Sequence, residues 1–451
     1  MKIAILGAAG MRMPLLYTAL AARQERLDLR RLTLMDDDER RLHVVAGLSQ
    51  ARSAPVQGGF DLQLTTRLEE ALDGSDYVIT TFRVGGMESR VIDERVPLAH
   101  GLLGQETTGA GGFAMAMRTL PVLLGVLNPM RSLCPQAWLV NFANPSGLLA
   151  EAIHRVGRWP RAVGICDGPA TMHRLAASLL DVDASEVYLD YFGLNHLGWA
   201  RRVLHRGEDY LPTFLAMIRA AGGFPGLPFD PEFLTSLGMI PNEYLYYYYQ
   251  ARQAVDNIVH RGQTRGEFLL ALNQACMADL EHLHRAERPE AMAGRYETYL
   301  EQRSQTYMLG ETGTGHELSN AQVGDGGGYA GVALDLIETL HRGPPRVMIL
   351  NLPNQGAVAG MDVDDVVEIP ALVGKHFVHP LAVGDIPAEC LGLMQRVKAY
   401  ERLTIEAAVE GSLSKALEAL TLHPLVGDLE KARAILSEFR TQQAAYFPPL
   451  R

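Results

Sequence analysis

The chain has 451 residues, of which 47% are hydrophobic and 21% are charged, a balance typical of folded globular proteins. Its formal net charge of -11 argues against a nucleic-acid-binding surface, which needs a basic face. No apolar run reaches the roughly 20 residues that span a bilayer, so no membrane segment is expected. Four cysteines in so long a chain indicate no disulfide framework and fit a reducing cytoplasm.

The first half of the chain alternates short apolar runs with amphipathic segments. The runs are KIAIL, RLTLM, LQLTT, DYVITTF, AWLVNF and RAVGIC, and the segments between them include Met13–Ala22 and Arg40–Gln50. Such alternation predicts βαβ units and a doubly wound parallel sheet with helices on both faces. We therefore assign residues 1–195 to a Rossmann-type domain.

The pattern changes near Tyr188. The stretch VYLDYFGLNHLGWARRVL predicts two extended segments, a long helical region follows, and PRVMILNLPNQGAVAGMDVDDVVEIPALV predicts strands joined by turns. Leu391–Gly411 and Leu429–Tyr446 are predicted to close the chain as amphipathic helices. Residues 196–451 are thus expected to form an α+β substrate-binding and oligomerisation domain, mostly helical with antiparallel strands. It is expected to be interlocked with the first domain, since no Ser- or Pro-rich linker separates them.

A glycine-containing turn follows the first predicted strand. In a dinucleotide-binding fold, the turn formed by Gly7, Ala8, Ala9 and Gly10 would aim backbone N–H groups at a pyrophosphate. Asp36 ends the second predicted strand and is placed to accept ribose hydroxyls, which favours NAD over NADP because an acid repels a 2′-phosphate. The alternative is a plain helix-entry turn, because the full GxGxxG spacing is absent.

Several further stretches occur in a fixed order along the chain. They are DYVITTFRVGG, ERVPLAHGLLGQETTGAGGFAMAMRTLPV, NFANPSG, GICDGP, GLNHLGW, YLYYYY, QTRGEF, NLPNQG and QRVKAYERLTIEAA. Together, from residue 1 to about residue 447, they resemble glycoside hydrolase family 4, the NAD- and divalent-metal-dependent glycosidases. The resemblance is strongest to the 6-phospho-β-glucosidase branch of that family, which departs from the usual two-carboxylate glycosidases.

The resemblance implies an unusual reaction on a small-molecule glycoside. In this family NAD takes a hydride from carbon 3 of the sugar, a base removes the proton on carbon 2, and the aglycone leaves by elimination. Water then adds and the hydride is returned, so the net reaction is hydrolysis. A divalent cation, usually Mn²⁺, acts as a Lewis acid at the carbon 3 oxygen. Relatives form dimers or tetramers, so a cytoplasmic homodimer or homotetramer is expected.

The same resemblance assigns two metal ligands, Cys166 in GICDGP and His196 in GLNHLGW. Taken alone, either residue is more often a packed core side chain than a ligand. A thiolate and an imidazole are soft ligands for manganese and would bind zinc more tightly. Because thiolate ligands oxidise, a reductant is expected to preserve activity.

Three residues are assigned to the chemistry by resemblance. Tyr244 matches the base for the carbon 2 proton, and Arg265 matches a cation that lowers the pKa of that phenol from its ordinary value near ~10. Asp167 is the candidate proton donor to the leaving oxygen. Its alternative is a sugar-hydroxyl contact without proton transfer, since β-type relatives more often have Asn at this position.

The remaining assignments concern ligand binding. By resemblance, Arg90 and Asn144 hold the sugar and its 6-phosphate, Arg clamping phosphate with paired hydrogen bonds. The alternative for Arg90 is a surface salt bridge with Glu88 or Asp93.

The glycine-rich stretch GQETTGAGG is expected to wrap the junction of nicotinamide and sugar. Glu106, within it, is placed near the reacting hydroxyls, and its glycines would let the main chain close over flat ligands. Asn195 is assigned to the substrate and Arg83 to the cofactor.

Three departures from the family pattern bear on specificity. The N-terminal turn is usually Gly-Gly-Gly-Ser, and CDGP replaces the β-type CN-P, which leaves the preferred anomer open. In GDGGGYAGVALDL, Gly324 stands where phospho-specific relatives carry Arg, Ala330 replaces a Ser, and Asp325 adds negative charge. A substrate that is unphosphorylated, or substituted at carbon 6 by a group such as a sulfonate, is therefore the main alternative.

Two other classes share the predicted first half. A lactate/malate-type dehydrogenase has no use for CDGP, GLNH and YLYYYY together, and it would release NADH. A non-catalytic NAD-binding regulator has no need to retain the metal pair, the tyrosine and the arginine of these motifs. Both are less consistent with the sequence than a glycosidase.

Overall fold

The structure is a computed structural model that describes residues 1–53, 59–313 and 328–451, except the side chain of Tyr329. Within these residues the strands form two sheets. The strands are β1 Lys2–Leu6, β2 Arg31–Met35, β3 Asp61–Thr65, β4 Tyr77–Thr80, β5 Trp138–Asn141, β6 Ala162–Gly164, β7 Val187–Leu194, β8 Leu197–His205, β9 Glu208–Asp209, β10 Ile240–Pro241, β11 Arg346–Pro353, β12 Val366–Gly374 and β13 Phe377–Pro380.

Helices cover both faces of the larger sheet and build most of the second half. They are α1 Met13–Ala22, α2 Gln24–Leu27, α3 Glu39–Arg52, α4 Leu68–Leu72, α5 Gly86–Ala99, α6 Gly109–Leu133, α7 Ser146–Arg155, α8 Gly168–Leu180, α9 Leu211–Ala220, α10 Pro231–Leu237, α11 Tyr246–Tyr249, α12 Ala251–Arg261, α13 Arg265–Arg285, α14 Pro289–Gln305, α15 Leu309–Thr312, α16 Gly328–Arg342, α17 Ala388–Glu410, α18 Leu413–Leu422 and α19 Leu429–Gln442. Short 3₁₀ turns span Ala184–Glu186 and Glu243–Leu245.

The six N-terminal strands confirm the predicted Rossmann-type sheet. They pair in parallel in the order β3-β2-β1-β4-β5-β6, the usual order of a dinucleotide-binding fold. Strands β4 and β5 are buried at every residue, because helices cover both sides of a parallel sheet. This explains why their sequences read as continuous apolar runs.

Strands from the C-terminal part extend the same sheet. Asn351 of β11 pairs antiparallel with Gly164 of β6, and β12 and β13 follow antiparallel to complete a nine-stranded sheet among the described residues. The two halves are thus interlocked, as predicted, through shared strands.

A smaller antiparallel sheet carries one of the predicted ligands. Strands β7 and β8 form a hairpin whose two-residue turn is Asn195 and His196, with His196 in the left-handed region at φ 63°. Tyr191 of β7 donates a 2.9 Å hydrogen bond to Glu368 of β12. This contact ties the small sheet to the large one, so the turn faces the carboxyl ends of the parallel strands.

Helix α6 is the one described helix long and apolar enough to cross a membrane by length and composition. Of its most apolar window, 78% is buried inside the protein. Its glycine-rich first turn and its buried Arg118, which pairs with Asp93 at 2.7 Å, are features of a core helix.

Candidate active site

A cleft of about 1760 Å³ opens at the carboxyl ends of the parallel strands, where α/β sheets bind ligands. Most of the residues predicted for the site line it. They are Gly7, Ala9, Gly10, Asp36, Arg83, Arg90, Glu106, Asn144, Asp167, Tyr244 and Arg265. Four predicted residues, Ala8, Cys166, Asn195 and His196, lie outside the set of lining residues.

The turn after β1 forms one end of the cleft. Gly7 has φ +90°, and a Cβ there would lie 2.4 Å from the backbone nitrogen of Phe82, so only glycine fits. The buried Ala8 donates its N–H to the Met35 carbonyl at 3.0 Å. Asp36 accepts a 2.8 Å hydrogen bond from the N–H of Ala9, which fixes its carboxylate beside the turn. Gly7, Ala9 and Gly10 of this turn line the cleft, whereas Ala8 is buried behind them.

The two predicted metal ligands come from different sheets. Cys166 follows β6, and His196 lies in the β7–β8 turn; both are buried. Burial raises the pKa of the Cys166 thiol, and the charges of Glu368 and Asp167 raise it further. Burial lowers the pKa of His196 to about 4, against the opposing charge of Glu106.

His196 carries an unsatisfied ring nitrogen. Its Nδ1 is buried and has no hydrogen-bond partner among the described residues, and its ring stacks on Tyr244 at 3.8 Å between centroids. A buried neutral imidazole with an orphaned nitrogen is a suitable metal ligand. Within the described ranges, no group of three or more His, Cys, Asp or Glu side chains could hold a metal by itself. A cation bound by Cys166 and His196 would therefore need further ligands from substrate or water.

Tyr244 occupies the centre of the cleft. Burial raises the pKa of its phenol, and the neighbouring charges of Glu243, Glu106 and Cys166 act in the same direction. Tyr307 opposes the rise through a hydrogen bond to the phenol. In this environment the phenol is held neutral, so its use as a base requires added positive charge.

The contacts of Arg265 are with residues other than Tyr244, the phenol whose pKa it is expected to lower. Its guanidinium donates to the hydroxyl of Thr306 and, at 2.8 Å, to the carbonyl of Arg303. Burial and the nearby charges of Arg303 and Arg90 lower its pKa to about 10. Arg265 interacts electrostatically with the phenol of Tyr307, and the arginine that interacts with the phenol of Tyr244 is Arg90.

Glu106 is held between two arginines. Arg83 contacts one carboxylate oxygen at 2.5 Å and Arg90 contacts the other at 2.8 Å. Burial disfavours the charged carboxylate, but the two guanidinium groups outweigh it and lower the pKa of Glu106 to about 2. Arg90 also pairs with the buried Glu94 at 2.8 Å.

These ion pairs bear on the sequence alternatives for Arg90. Its partners are Glu94 and Glu106, and neither Glu88 nor Asp93, so the alternative of a surface salt bridge with either of the latter does not hold. The reason is that α5 presents Arg90 inward, toward the loop that precedes α6. Glu94 sits one helical turn beyond Arg90, an i,i+4 spacing that the sequence contains but whose burial it does not reveal.

The glycine-rich stretch 104–113 packs against its own chain. A Cβ at Gly111 would lie 2.2 Å from the carbonyl oxygen of Gln105, and one at Gly104 would lie 2.3 Å from that of Glu94. The Gln105 side chain caps this turn by accepting the N–H groups of Thr107 and Thr108. These glycines let α6 begin against the loop that carries Glu106, and closure of the stretch over flat ligands stays a prediction.

The remaining predicted residues have ordinary surroundings. Asn144 follows β5 and faces the cleft, and Asp167 lies at the N-terminus of α8 with its carboxylate 4.0 Å from the Cys166 sulfur. Asn195 sits behind the wall, where its side chain donates to Glu368 at 3.3 Å and accepts the N–H of Gly147 at 3.4 Å. Of the specificity residues, Gly324 and Asp325 lie outside the described residues, and Ala330 lines the cleft.

The cleft also contains titratable residues that the sequence analysis did not identify. They are Glu243, Arg303, Tyr307 and Glu311. Tyr307 donates a 2.5 Å hydrogen bond to Glu243. Glu311 is buried, and one of its carboxylate oxygens has no hydrogen-bond partner among the described residues. Glu243 adjoins Tyr244 in sequence, so the tyrosine motif could have led to it. Arg303 in α14, Glu311 in α15 and Tyr307 in the turn between these helices lie in segments without a recognisable motif.

Glu243 makes stability depend on pH. Burial raises the pKa of its carboxyl from 4.5 to about 7, although Tyr307 hydrogen-bonds to it. The folded chain then holds more protons than the unfolded chain between these values, so stability falls as pH rises through this window. We expect metal-free Glu243→Gln to melt near the wild-type temperature at pH 5 and several degrees above it at pH 8, measured by calorimetry. The same change at the exposed Glu301 is the control, and a difference that is constant with pH would contradict the assignment.

Comparisons with known proteins agree with this geometry. Residues 2–182 match the profile described as "Family 4 glycosyl hydrolase", and residues 191–426 match "Family 4 glycosyl hydrolase C-terminal domain". The chain is 31% identical to a probable 6-phospho-β-glucosidase of Bacillus subtilis, over 99% of this chain and 97% of that one. It is 30% identical to a phospho-α-glucosidase of Clostridium acetobutylicum, over 100% of this chain and 99% of that one.

A solved structure shows the same fold. The 6-phospho-β-glucosidase of Thermotoga maritima, with manganese, NAD⁺ and glucose-6-phosphate, superimposes with a TM-score of 0.84 at 29% identity, over 100% of both chains. The two profiles cover nearly the whole chain, and the second begins within strand β7, shortly before the turn that carries His196. The chain therefore belongs to glycosyl hydrolase family 4 and is a glycoside hydrolase.

Proposed function

We propose that this glycosidase hydrolyses a 6-phosphoglucoside through transient oxidation at carbon 3, removal of the proton on carbon 2 and elimination. The observation that carries the proposal is the position of Tyr244, whose ring stacks on His196 and whose phenol is within reach of the charge of Cys166. Tyr244 lines the same cleft as the turn after β1 and Asp36. Relatives of this chain act on phosphorylated glucosides, and one binds NAD⁺ and manganese.

The outer end of the cleft fits NAD. The left-handed Gly7 leaves no room for a side chain, and the Asp36 carboxylate is fixed beside the turn. Gly7, Ala9, Gly10 and Asp36 would hold the adenosine and pyrophosphate, with Arg83 toward the nicotinamide. When bound, NAD would supply the acceptor and donor of the carbon 3 hydride, with no net consumption.

The inner end fits a divalent cation. The unsatisfied Nδ1 of His196 and the sulfur of Cys166 would hold it, and since the described residues offer no group of three ligands, substrate oxygens could complete its coordination. When bound, Mn²⁺ would polarise the carbon 3 oxygen as a Lewis acid. Its charge would also lower the pKa of the Tyr244 phenol, which the protein alone raises.

The chain's own groups would then move the protons. Tyr244 removes the proton on carbon 2, with Arg90 as the cation whose charge acts on it and Arg265 as a further arginine of the same cleft. Asp167, at the start of α8, protonates the leaving oxygen. The Arg83–Glu106–Arg90 cluster keeps Glu106 ionised and fixed toward the reacting hydroxyls, and Asn144 contacts the sugar.

The group that the substrate carries at carbon 6 has a second candidate besides phosphate. Arg90, the residue assigned to the phosphate, is already paired with Glu94 and Glu106, which lowers its availability for a dianion. This supports an unphosphorylated or otherwise substituted glucoside, such as a sulfonated one, as the alternative. Relatives of both anomeric types match at nearly the same identity, so the anomer stays open.

Hydrolysis of aryl glucosides tests the proposal. Protein stripped of cofactor is assayed with Mn²⁺ and reductant, with and without NAD, on phosphorylated and plain substrates of both anomers. We expect cleavage of a phosphorylated substrate only when NAD is present, with no accumulation of NADH. Accumulating NADH would indicate a dehydrogenase, NAD-independent cleavage would refute the redox mechanism, and cleavage of plain glucosides alone would move the proposal to the second candidate.

A further inference from the structure

The catalytic cleft continues into an apolar groove that no assignment above explains. The groove runs between α8 and α9 over the small sheet and begins at Asp167. Its lining side chains are large and apolar. Those that face one another across it include Met172, Leu175, Leu179, Phe214, Met217 and Phe224.

Several of these side chains are unusually exposed for their size. Leu175 and Leu179 are each 41% exposed, and Met217 is 52% exposed. Their exposure costs free energy that burial against a ligand would recover, and contiguous exposed apolar surface marks a binding site. The groove shares one cavity with Asp167 and Tyr244, so the ligand that enters the cleft can reach it.

The position of Asp167 indicates which part of a ligand lies there. A proton donor to the leaving oxygen must touch the glycosidic bond, so the aglycone begins at Asp167 and extends away from the sugar. Helix α8 starts at the next residue and rises ~1.5 Å per residue, which places Met172 about 8 Å and Leu175 about 12 Å along the groove. An aryl group or a medium alkyl chain has that length.

A second sugar is a poor fit for the same groove. Its hydroxyls need hydrogen-bond partners, and a desolvated hydroxyl without one is costly. Among the described residues of the groove, the polar side chains Thr171 and Asn242 lie at its inner end; Asn242 lies 2.9 Å from where a Cβ on Gly168 would be. Beyond that point the side chains of the described residues that line the groove are apolar.

We propose that this groove is the aglycone subsite and that it selects aryl or alkyl aglycones over sugars. The inference rests on the proposed function for the identity of the sugar half. The choice of aglycone class is inferred from three features of the groove: its apolar side chains, their exposure, and its start at Asp167.

The groove is tested with alkanols as leaving groups. Phenols are more acidic and leave more readily, so their use would mix leaving-group ability with binding in the groove. Wild type and the variants Leu175→Asp and Met217→Asp are compared on methyl, n-hexyl and glucosyl glucosides, phosphorylated and plain. We expect wild-type kcat/KM to be about tenfold or more higher for hexyl than for methyl or glucosyl substrates. Each variant should remove most of that preference, while Val409→Asp, at a 49% exposed site on α17, should keep it.

Binding without NAD separates this inference from the proposed function. Calorimetry on NAD-free protein measures how much tighter hexyl glucoside 6-phosphate binds than the methyl compound. If no glucoside is ever hydrolysed but Leu175→Asp removes a hexyl-dependent gain in affinity, the proposed function fails and the subsite stands. Equal affinity for the hexyl and methyl compounds, or a preference for the glucosyl substrate, would overturn the proposed aglycone subsite. Variants that change the oligomeric state but not the hexyl preference would show that the groove is a subunit contact, which also overturns it.

Discussion

Tyr244→Phe should reduce hydrolysis by roughly a thousandfold, the usual contribution of a positioned general base. The change removes only the hydroxyl, so the ring can still stack on His196 at 3.8 Å. NAD affinity should be preserved because the nucleotide end of the cleft is formed by the turn after β1. The measurements are kcat/KM on the best substrate and the Kd for NAD by fluorescence titration.

Tyr246→Phe is the matched control in the same run of tyrosines. Its hydroxyl donates to the Glu311 carbonyl at 3.4 Å, so its loss should have a small effect on turnover. Retained activity in Tyr244→Phe would remove this residue as the base. Exchange of the carbon 2 proton with deuterated water should also disappear in Tyr244→Phe. A purely structural defect would instead lower hydrolysis and proton exchange by the same factor.

Glu106→Gln should cost about 3 kcal/mol of folding free energy and most of the activity, because it leaves the buried Arg90 and the half-buried Arg83 without their shared counter-charge. Arg83 and Arg90 both pair with this carboxylate, and Glu94 alone would remain for Arg90. Urea unfolding of the metal-free protein measures the loss of stability. Added sulfate should recover part of it by placing an anion between the two guanidinium groups.

Glu106→Asp keeps the charge and serves as the control. Since its carboxylate is one methylene shorter, we expect a smaller loss of stability and no rescue by sulfate. If Gln and Asp destabilise equally, packing rather than charge is what Glu106 supplies, and the cluster would not be an electrostatic support for the site.

The strands were predictable because burial on both faces of a parallel sheet forces continuous apolar runs. KIAIL and RLTLM coincide with β1 and β2 residue for residue, and Met13–Ala22 coincides with α1. The ends of other elements shift by a few residues, as with Leu391–Gly411 against Ala388–Glu410. Terminal turns depend on capping contacts that a periodic pattern does not contain.

The contacts between distant elements were not predictable. That Arg90 faces Glu106 across two elements, or that Tyr307 donates to Glu243, depends on how α5, α14 and the 3₁₀ turn pack. Local sequence fixes which side chains are available, and tertiary packing decides which of them meet. Motif resemblance filled this gap for Cys166 and His196, since it transfers a spatial arrangement that spacing alone does not give.

The pairing of Gly164 with Asn351 also affects how the protein is made. At roughly 5–20 residues per second, the ribosome releases β6 about nine seconds or more before its neighbour β11 exists. During that interval β6 is an open sheet edge, able to pair with another nascent chain. Translation speed across the intervening helices therefore sets the time during which misassembly competes with folding, and a fragment ending after β6 would carry that edge permanently.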